Sequence, residues 1–134
     1  TELPIFGSDI SADAVEMAKA NLENAGLFEA VKLNCSDILD ISAPADYGVM
    51  VANLPYGERM GELNELRELY PRIGDTLKKN FSGWNAYLLS SDLEMPKFIR
   101  LSVSKRMPLF NGPLECRLFE YKMVSGSNRS KKDQ

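Results

Sequence analysis

Val49-Met50-Val51-Ala52-Asn53-Leu54-Pro55-Tyr56-Gly57-Glu58-Arg59 runs from four apolar residues into an amide, a proline and an aromatic ring, then a glycine and a pair of opposite charges. A short apolar run closed by turn-forming residues reads as a buried strand that delivers a loop. The Asn53 side-chain oxygen and the Leu54 carbonyl are hydrogen-bond acceptors. Pro55 fixes one backbone dihedral and lacks an N–H, so it stiffens the turn, and Tyr56 offers a ring face for stacking. Together these groups suit holding a planar base by its exocyclic amine. The lone pair of such an amine is delocalised, and acceptors that bond its hydrogens favour the pyramidal form that attacks an electrophile. An ordinary strand-to-turn junction draws on the same residue types, so the stretch alone leaves both readings open.

Working outward, strand and helix signals alternate. Pro4-Ile5-Phe6-Gly7-Ser8-Asp9 reads as a strand ending on an acid. Ser11 is a helix N-cap, with Asp13 and Glu16 in the first turn, Val15, Ala18, Leu22 and Ala25 on one face, and Gly26 as the stop. Ala30 to Asn34 is a second strand closed by Ser36-Asp37, and Tyr47 to Ala52 is the third. From Gly61 to Asn80 the residues Leu63, Leu66, Tyr70, Ile73 and Leu77 keep helical spacing, and Pro71 either kinks that helix or begins another. Trp84 to Leu89 is a strand, Leu93 to Leu101 a short helix, and Lys105 to Phe110 with Leu114 to Val124 a closing pair joined by an Asn111-Gly112-Pro113 turn.

This order predicts an α/β sheet with helices on both faces. Ligands in such sheets bind at the strands' carboxyl ends, where Asp9, Asp37 and Asn53 are expected. Asp9 also suits a turn or cap, and Asp37 a surface loop. Glu58 and Arg59 suit a solvated ion pair. Phe6, Phe28, Trp84, Tyr87 and Phe110 are expected in the core.

At 134 residues and 44% hydrophobic content the chain is sized for one domain, residues 1–124, followed by a flexible polar tail, 125–134, containing Arg129, Lys131 and Lys132. No apolar run approaches the roughly 20 residues of a membrane span, and no signal sequence is seen, so a soluble cytoplasmic protein is expected. Cys35 and Cys116 are expected as reduced, structural thiols. With no histidine and no clustered cysteines, no metal site is expected. A net charge of −3 argues against a chain that grips nucleic acid by itself.

The 53–56 stretch resembles the Asn/Asp-Pro-Pro-Tyr/Phe signature of methyltransferases that use S-adenosylmethionine to modify exocyclic amines. Extended through Gly57-Glu58-Arg59, it is similar to the bacterial large-subunit (23S) ribosomal RNA guanine-N2 methyltransferases. Leu54 departs from that family, standing where its first proline is usual. Asn-Leu-Pro-Tyr is how the ribosomal RNA adenine dimethylases write the loop, so adenine stays open as the target. Gly83-Trp84-Asn85-Ala86-Tyr87-Leu88-Leu89-Ser90-Ser91, Leu69-Tyr70 before Ile73-Gly74, and Asn111-Gly112-Pro113-Leu114-Glu115-Cys116 resemble the C-terminal half of the guanine family. The resemblance runs from about Ile5 to about Tyr121.

The resemblance implies a Rossmann-like methyltransferase sheet of strand order 3-2-1-4-5-7-6 and S-adenosylmethionine as cofactor. Asp9, with Ile10 beside it, would take the donor's ribose hydroxyls. Asp37 would accept from its adenine amine, with the Ile38 N–H on a ring nitrogen. Asn53, Leu54, Pro55 and Tyr56 would form the catalytic loop, with Asn53 also bordering the donor. Thr1-Glu2-Leu3 leave no room for the first strand and its Gly-rich loop, so the sheet is expected to be truncated at the N-terminus. The chain then reads as a C-terminal portion of a larger enzyme, inactive alone, and open to self-association through unpaired edges. Ribosomal RNA would be held by an upstream THUMP module. A non-catalytic α/β binding module is the alternative from another class.

Overall fold

The computed structural model describes residues 4–55, 57 and 60–124. The readings placed on Thr1-Glu2-Leu3, Tyr56, Glu58, Arg59 and the 125–134 tail lie outside the described residues. The chain divides into two compact units, Thr1–Ile41 and Ser42–Gln134.

In the first unit, β1 (Ile5–Asp9) and β2 (Val31–Cys35) pair in parallel from Ile5↔Val31 to Asp9↔Cys35. Helix α1 (Ala12–Asn24) connects them. Its ends follow from local chemistry. The Ser11 hydroxyl accepts the Ala14 N–H at 3.2 Å, closing one of the orphan donors of the first turn. At the other end Gly26, at φ +72°, donates to the Glu23 carbonyl while Leu27 donates to that of Leu22. This paired termination needs a left-handed residue that only glycine adopts without strain. Ala14, Val15, Ala18 and Leu22 are half-buried, as the apolar stripe requires, whereas Ala25 is exposed.

In the second unit, β3 (Gly48–Asn53), β4 (Trp84–Ser90), β5 (Lys105–Asn111) and β6 (Leu114–Lys122) form a sheet of order β3-β4-β6-β5. The first pair is parallel and the other two antiparallel. Each sheet reproduces a stretch of the expected methyltransferase order: β2-β1 corresponds to its 3-2, and β3-β4-β6-β5 to its 4-5-7-6. A strand corresponding to number 1 of that order, between 2 and 4, is not among the described ones.

Helix α2 (Met60–Asn80) runs unbroken through Pro71, so of the two arrangements left open the single helix is formed. The proline removes one ladder hydrogen bond, and the packing of Leu66, Tyr70, Ile73 and Leu77 offsets the loss. Helix α3 (Met95–Ile99) is shorter than the spacing suggests, because Arg100 turns left-handed at φ 62° and ends it. Residues Trp84, Ala86, Leu88 and Ser90 alternate inward along β4 and meet Phe119 and Tyr121 of β6 in the core.

Three expected core aromatics are corrected. Phe6, Phe28 and Phe110 are 48%, 39% and 71% exposed. Phe6 and Phe28 instead carry lysines over their rings, Lys32 and Lys19, and Phe110 lies near the tip of the β5–β6 hairpin. Trp84 is buried as expected, with its indole N–H on the Ala45 carbonyl. Tyr87 is half-buried and donates to Glu120. Cys116 is buried but Cys35 is exposed, so only the first is packed as a core thiol. Within the second unit the helices also leave one side of β3 open, with Val49 and Val51 exposed.

Candidate active site

In the first unit the two predicted carboxylates come together. Asp9 ends β1 opposite Cys35, and the Ser36 N–H donates to the Asp9 carbonyl at 2.9 Å, which places the start of the following turn, and Asp37, beside Asp9. One Asp9 oxygen accepts the Ser11 N–H at 2.8 Å. One Asp37 oxygen accepts the Leu39 N–H at 2.9 Å and so caps the short turn Ile38–Asp40. The cap and loop roles noted for these residues are therefore real. They occupy one oxygen of each carboxylate, and among the described residues the second oxygen has no partner. Ile10 is 69% exposed beside Asp9, and Ile38 is half-buried. Such a pair fits the acceptor set that a ribose diol and an aromatic amine require, since ionised carboxylates only accept.

In the second unit Asn53 is the last residue of β3, paired with Leu89. It is exposed, and its side-chain amide makes no hydrogen bond to another described residue. The next residue is anchored twice. The Leu54 N–H donates to the Leu89 carbonyl at 3.0 Å, and the Leu54 side chain is buried, 6% exposed. Pro55 is exposed. Gly57, at φ +63°, lies so close to α2 that an added Cβ would stand 3.1 Å from the Leu63 Cα and 2.8 Å from a Leu66 methyl. Leu54 and Gly57 are thus each held close to neighbouring elements, and Asn53 is exposed at a strand's carboxyl end. Pro55, Gly57, Glu62, Glu65, Leu66 and Leu69 line an open cavity of about 270 Å³ beside it.

One polar network escaped the sequence reading. Asp92, its side chain 3% exposed, accepts from Arg67 Nε and Nη2, both at 3.0 Å, and from the Glu94 N–H at 3.1 Å. Its own N–H donates to the Ser90 hydroxyl. The Arg67 guanidinium also sits 4.8 Å from the centre of the Phe98 ring. Burial opposes ionisation of Asp92, but the Arg67 hydrogen bonds, the Glu94 N–H and the Arg67 charge outweigh it and hold the carboxyl below its ordinary range. Burial raises the Tyr70 phenol, which is enclosed nearby without a well-formed hydrogen bond. The network ties α2, which follows the Asn53 loop, to the turn after β4. Its sequence signal was an acid just past a strand, Ser90-Ser91-Asp92, the pattern already used for Asp9 and Asp37.

Residues 1–120 match the family model of the RMKL-like methyltransferase domain. The chain is 43% identical over 128 residues to the ribosomal RNA large subunit methyltransferase K/L of Shewanella baltica, a match that covers 96% of this chain and 18% of that protein. The chain therefore spans about a fifth of the length of the curated relatives it matches. Among solved structures, it is similar to a protein described as a possible methylase from Clostridium difficile 630, with a TM-score of 0.85 at 26% identity, covering 96% of this chain and 34% of that one. It is also similar to SMU.472, described as a candidate methyltransferase complexed with SAH, with a TM-score of 0.83 at 28% identity, covering 97% and 33%.

Proposed function

The chain belongs to the RMKL-like methyltransferase domain family, and from that premise we propose that it is the portion of an S-adenosylmethionine-dependent enzyme that methylates the exocyclic amine of guanine in large-subunit ribosomal RNA. The observation that carries the reading is Asn53: a side-chain amide, exposed at the carboxyl end of β3, on a backbone held by the Leu54–Leu89 hydrogen bond. The comparison with the K/L methyltransferase supports RNA as the substrate class.

In this reading Asp9 holds the donor's ribose hydroxyls through its uncapped oxygen, and Asp37 holds the adenine amine, with Ile10 and Ile38 bordering them. When bound, S-adenosylmethionine supplies an electrophilic methyl group. The protein's work at the acceptor is positioning. The Asn53 oxygen and the Leu54 carbonyl accept the two amine hydrogens, and Tyr56 stacks on the base after it leaves its helical stack. No base is needed beforehand, because the proton departs after transfer. The upstream RNA-holding module is part of the same proposal, since a net charge of −3 does not favour an RNA polyanion.

A second reading changes the base to adenine, and Leu54 favours it, as the residue by which this loop departs from the guanine family. Nucleoside mass spectrometry of large-subunit RNA from cells lacking the gene decides between them. Loss of one N2-methylguanosine is expected. Loss of a methyladenosine instead would replace guanine by adenine, and an unchanged nucleoside profile would remove RNA methylation altogether.

A further inference from the structure

The β5–β6 hairpin reaches past the strand ends where Asn53 sits. Asn53 pairs with Leu89, Leu89 with Leu118, and Leu118 with Met107, so these four residues mark one level across the sheet. From that level β6 extends back four more residues to Leu114, and β5 forward to Asn111, a projection of about 13 Å at 3.3 Å per residue. The tip turns at Gly112, φ +63°, and Pro108 stiffens the outer strand.

The projecting part is apolar and uncovered, with Phe110 71% and Leu109 44% exposed. The hairpin that bears it is basic within an acidic chain, although the projecting residues themselves carry only Arg117 and Glu115, the other cations lying at its base. From Lys105 to Lys122 there are four cationic and two acidic side chains, a local +2 in a chain of net −3. Pro108 faces Arg117 and Phe110 faces Glu115 across the ladder, so Phe110 and Arg117 are diagonal neighbours on one face. Arg117 keeps a third of its side chain exposed. Its one ion pair among the described residues, to Glu115, is long at 3.6 Å, and its buried Nε–H has no acceptor there. An exposed aromatic ring beside a partly exposed guanidinium is the pairing that single-stranded nucleic acid binds: the ring stacks on a base of any identity and the cation takes a phosphate.

We propose that this hairpin tip is an RNA-contact element, in which Phe110 stacks on an unpaired base flanking the target nucleotide and Arg117 contacts the backbone phosphate beside it. The proposal rests on the RNA methyltransferase reading above and adds a contact outside the 53–57 loop. Neighbouring strands lie about 4.8 Å apart, so the tip stands roughly 15–20 Å from Asn53, a distance that a few nucleotides span.

The test is fluorescence anisotropy of the full-length protein with a fluorescein-labelled, unstructured oligoribonucleotide of mixed sequence, with methyl transfer to ribosomal RNA measured in parallel. Phe110→Ala should weaken RNA binding about tenfold, and Phe110→Trp should restore it to within about twofold, as loss and return of one stacked base require. Arg117→Gln should lower the slope of log affinity against log salt by about 1. Affinity for S-adenosylhomocysteine should not change in any of the three. Unchanged RNA affinity in Phe110→Ala would overturn the proposal. So would unchanged affinity with a lowered melting temperature, which would assign the tip to packing against protein. Anisotropy needs no turnover, so a wild type that binds RNA through Phe110 but transfers no methyl group would remove the methyltransferase reading and leave the hairpin contact standing.

Discussion

Leu54 donates its N–H to the Leu89 carbonyl at 3.0 Å, extending the β3–β4 ladder one residue beyond Asn53. The residue whose carbonyl is proposed to accept from the substrate amine is therefore itself held twice, through this bond and through its buried side chain. Truncating that side chain leaves a cavity under the loop, so Leu54→Ala should lower stability by about 2–3 kcal/mol, read by denaturant unfolding. It should also slow methyl transfer with little change in donor affinity. A stable variant with unchanged turnover would show that the anchor does not position the loop.

In the proposed function Asp9 has two tasks, which one substitution separates. Asn at this position keeps an oxygen for the Ser11 N–H, and with it the entry to α1, but loses the charge and the second equivalent acceptor. Asp9→Asn should therefore melt like the parent while weakening S-adenosylhomocysteine at least about tenfold by calorimetry, the scale of a lost charge-assisted hydrogen bond. Unchanged affinity would take Asp9 out of the donor site.

The Arg67–Asp92 pair gives a pH dependence with a definite sign. The folded protein holds the Asp92 carboxyl below the value of about 3.9 that it has when unfolded. Its stabilisation is thus complete above that unfolded value and is lost as pH falls toward the folded one. The stability gap between the parent and Asp92→Asn should be wide at pH 7, similar at pH 5, and narrow toward pH 3. Arg67→Met at pH 7, which strands a buried carboxylate, should cost about 3 kcal/mol. A gap that stays constant with pH would show that the pair contributes nothing through ionisation.

Gly74 lets α2 and α3 meet. A Cβ there would stand 2.2 Å from the Ile99 carbonyl oxygen, which is backbone and cannot turn aside. Gly74→Ala, although it favours helix locally, should lower stability by about 2 kcal/mol or more as the helices are forced apart. A raised melting temperature would mean that α3 moves freely.

What was legible in the sequence is what short-range chemistry determines. Ser11 and Gly26 bound α1 because a hydroxyl and a missing Cβ act within a few residues. Asn53 falls at the end of β3 because the apolar run stops there. Likewise Asp9 and Asp37 were legible as acids that close strands. Contacts between distant residues were not. Arg67 and Asp92 are 25 positions apart, and nothing in either neighbourhood announces the other. Phe110 is of a residue type common in cores, and only the register of β5 against β6 shows that it lies beyond the end of β4. Pro71 left two helices possible, and the buried row of Leu66, Tyr70, Ile73 and Leu77 shows why one formed.

The central claim is that Asn53 positions the substrate amine, and Asn53→Ala in the full-length protein tests it most directly. Turnover on unmethylated ribosomal RNA and the dissociation constant for S-adenosylhomocysteine are measured side by side. The account predicts that kcat falls by about 100-fold or more, as removal of one preorganised hydrogen-bonding group does elsewhere, with donor affinity within about twofold of the parent. Normal turnover in that variant would contradict it.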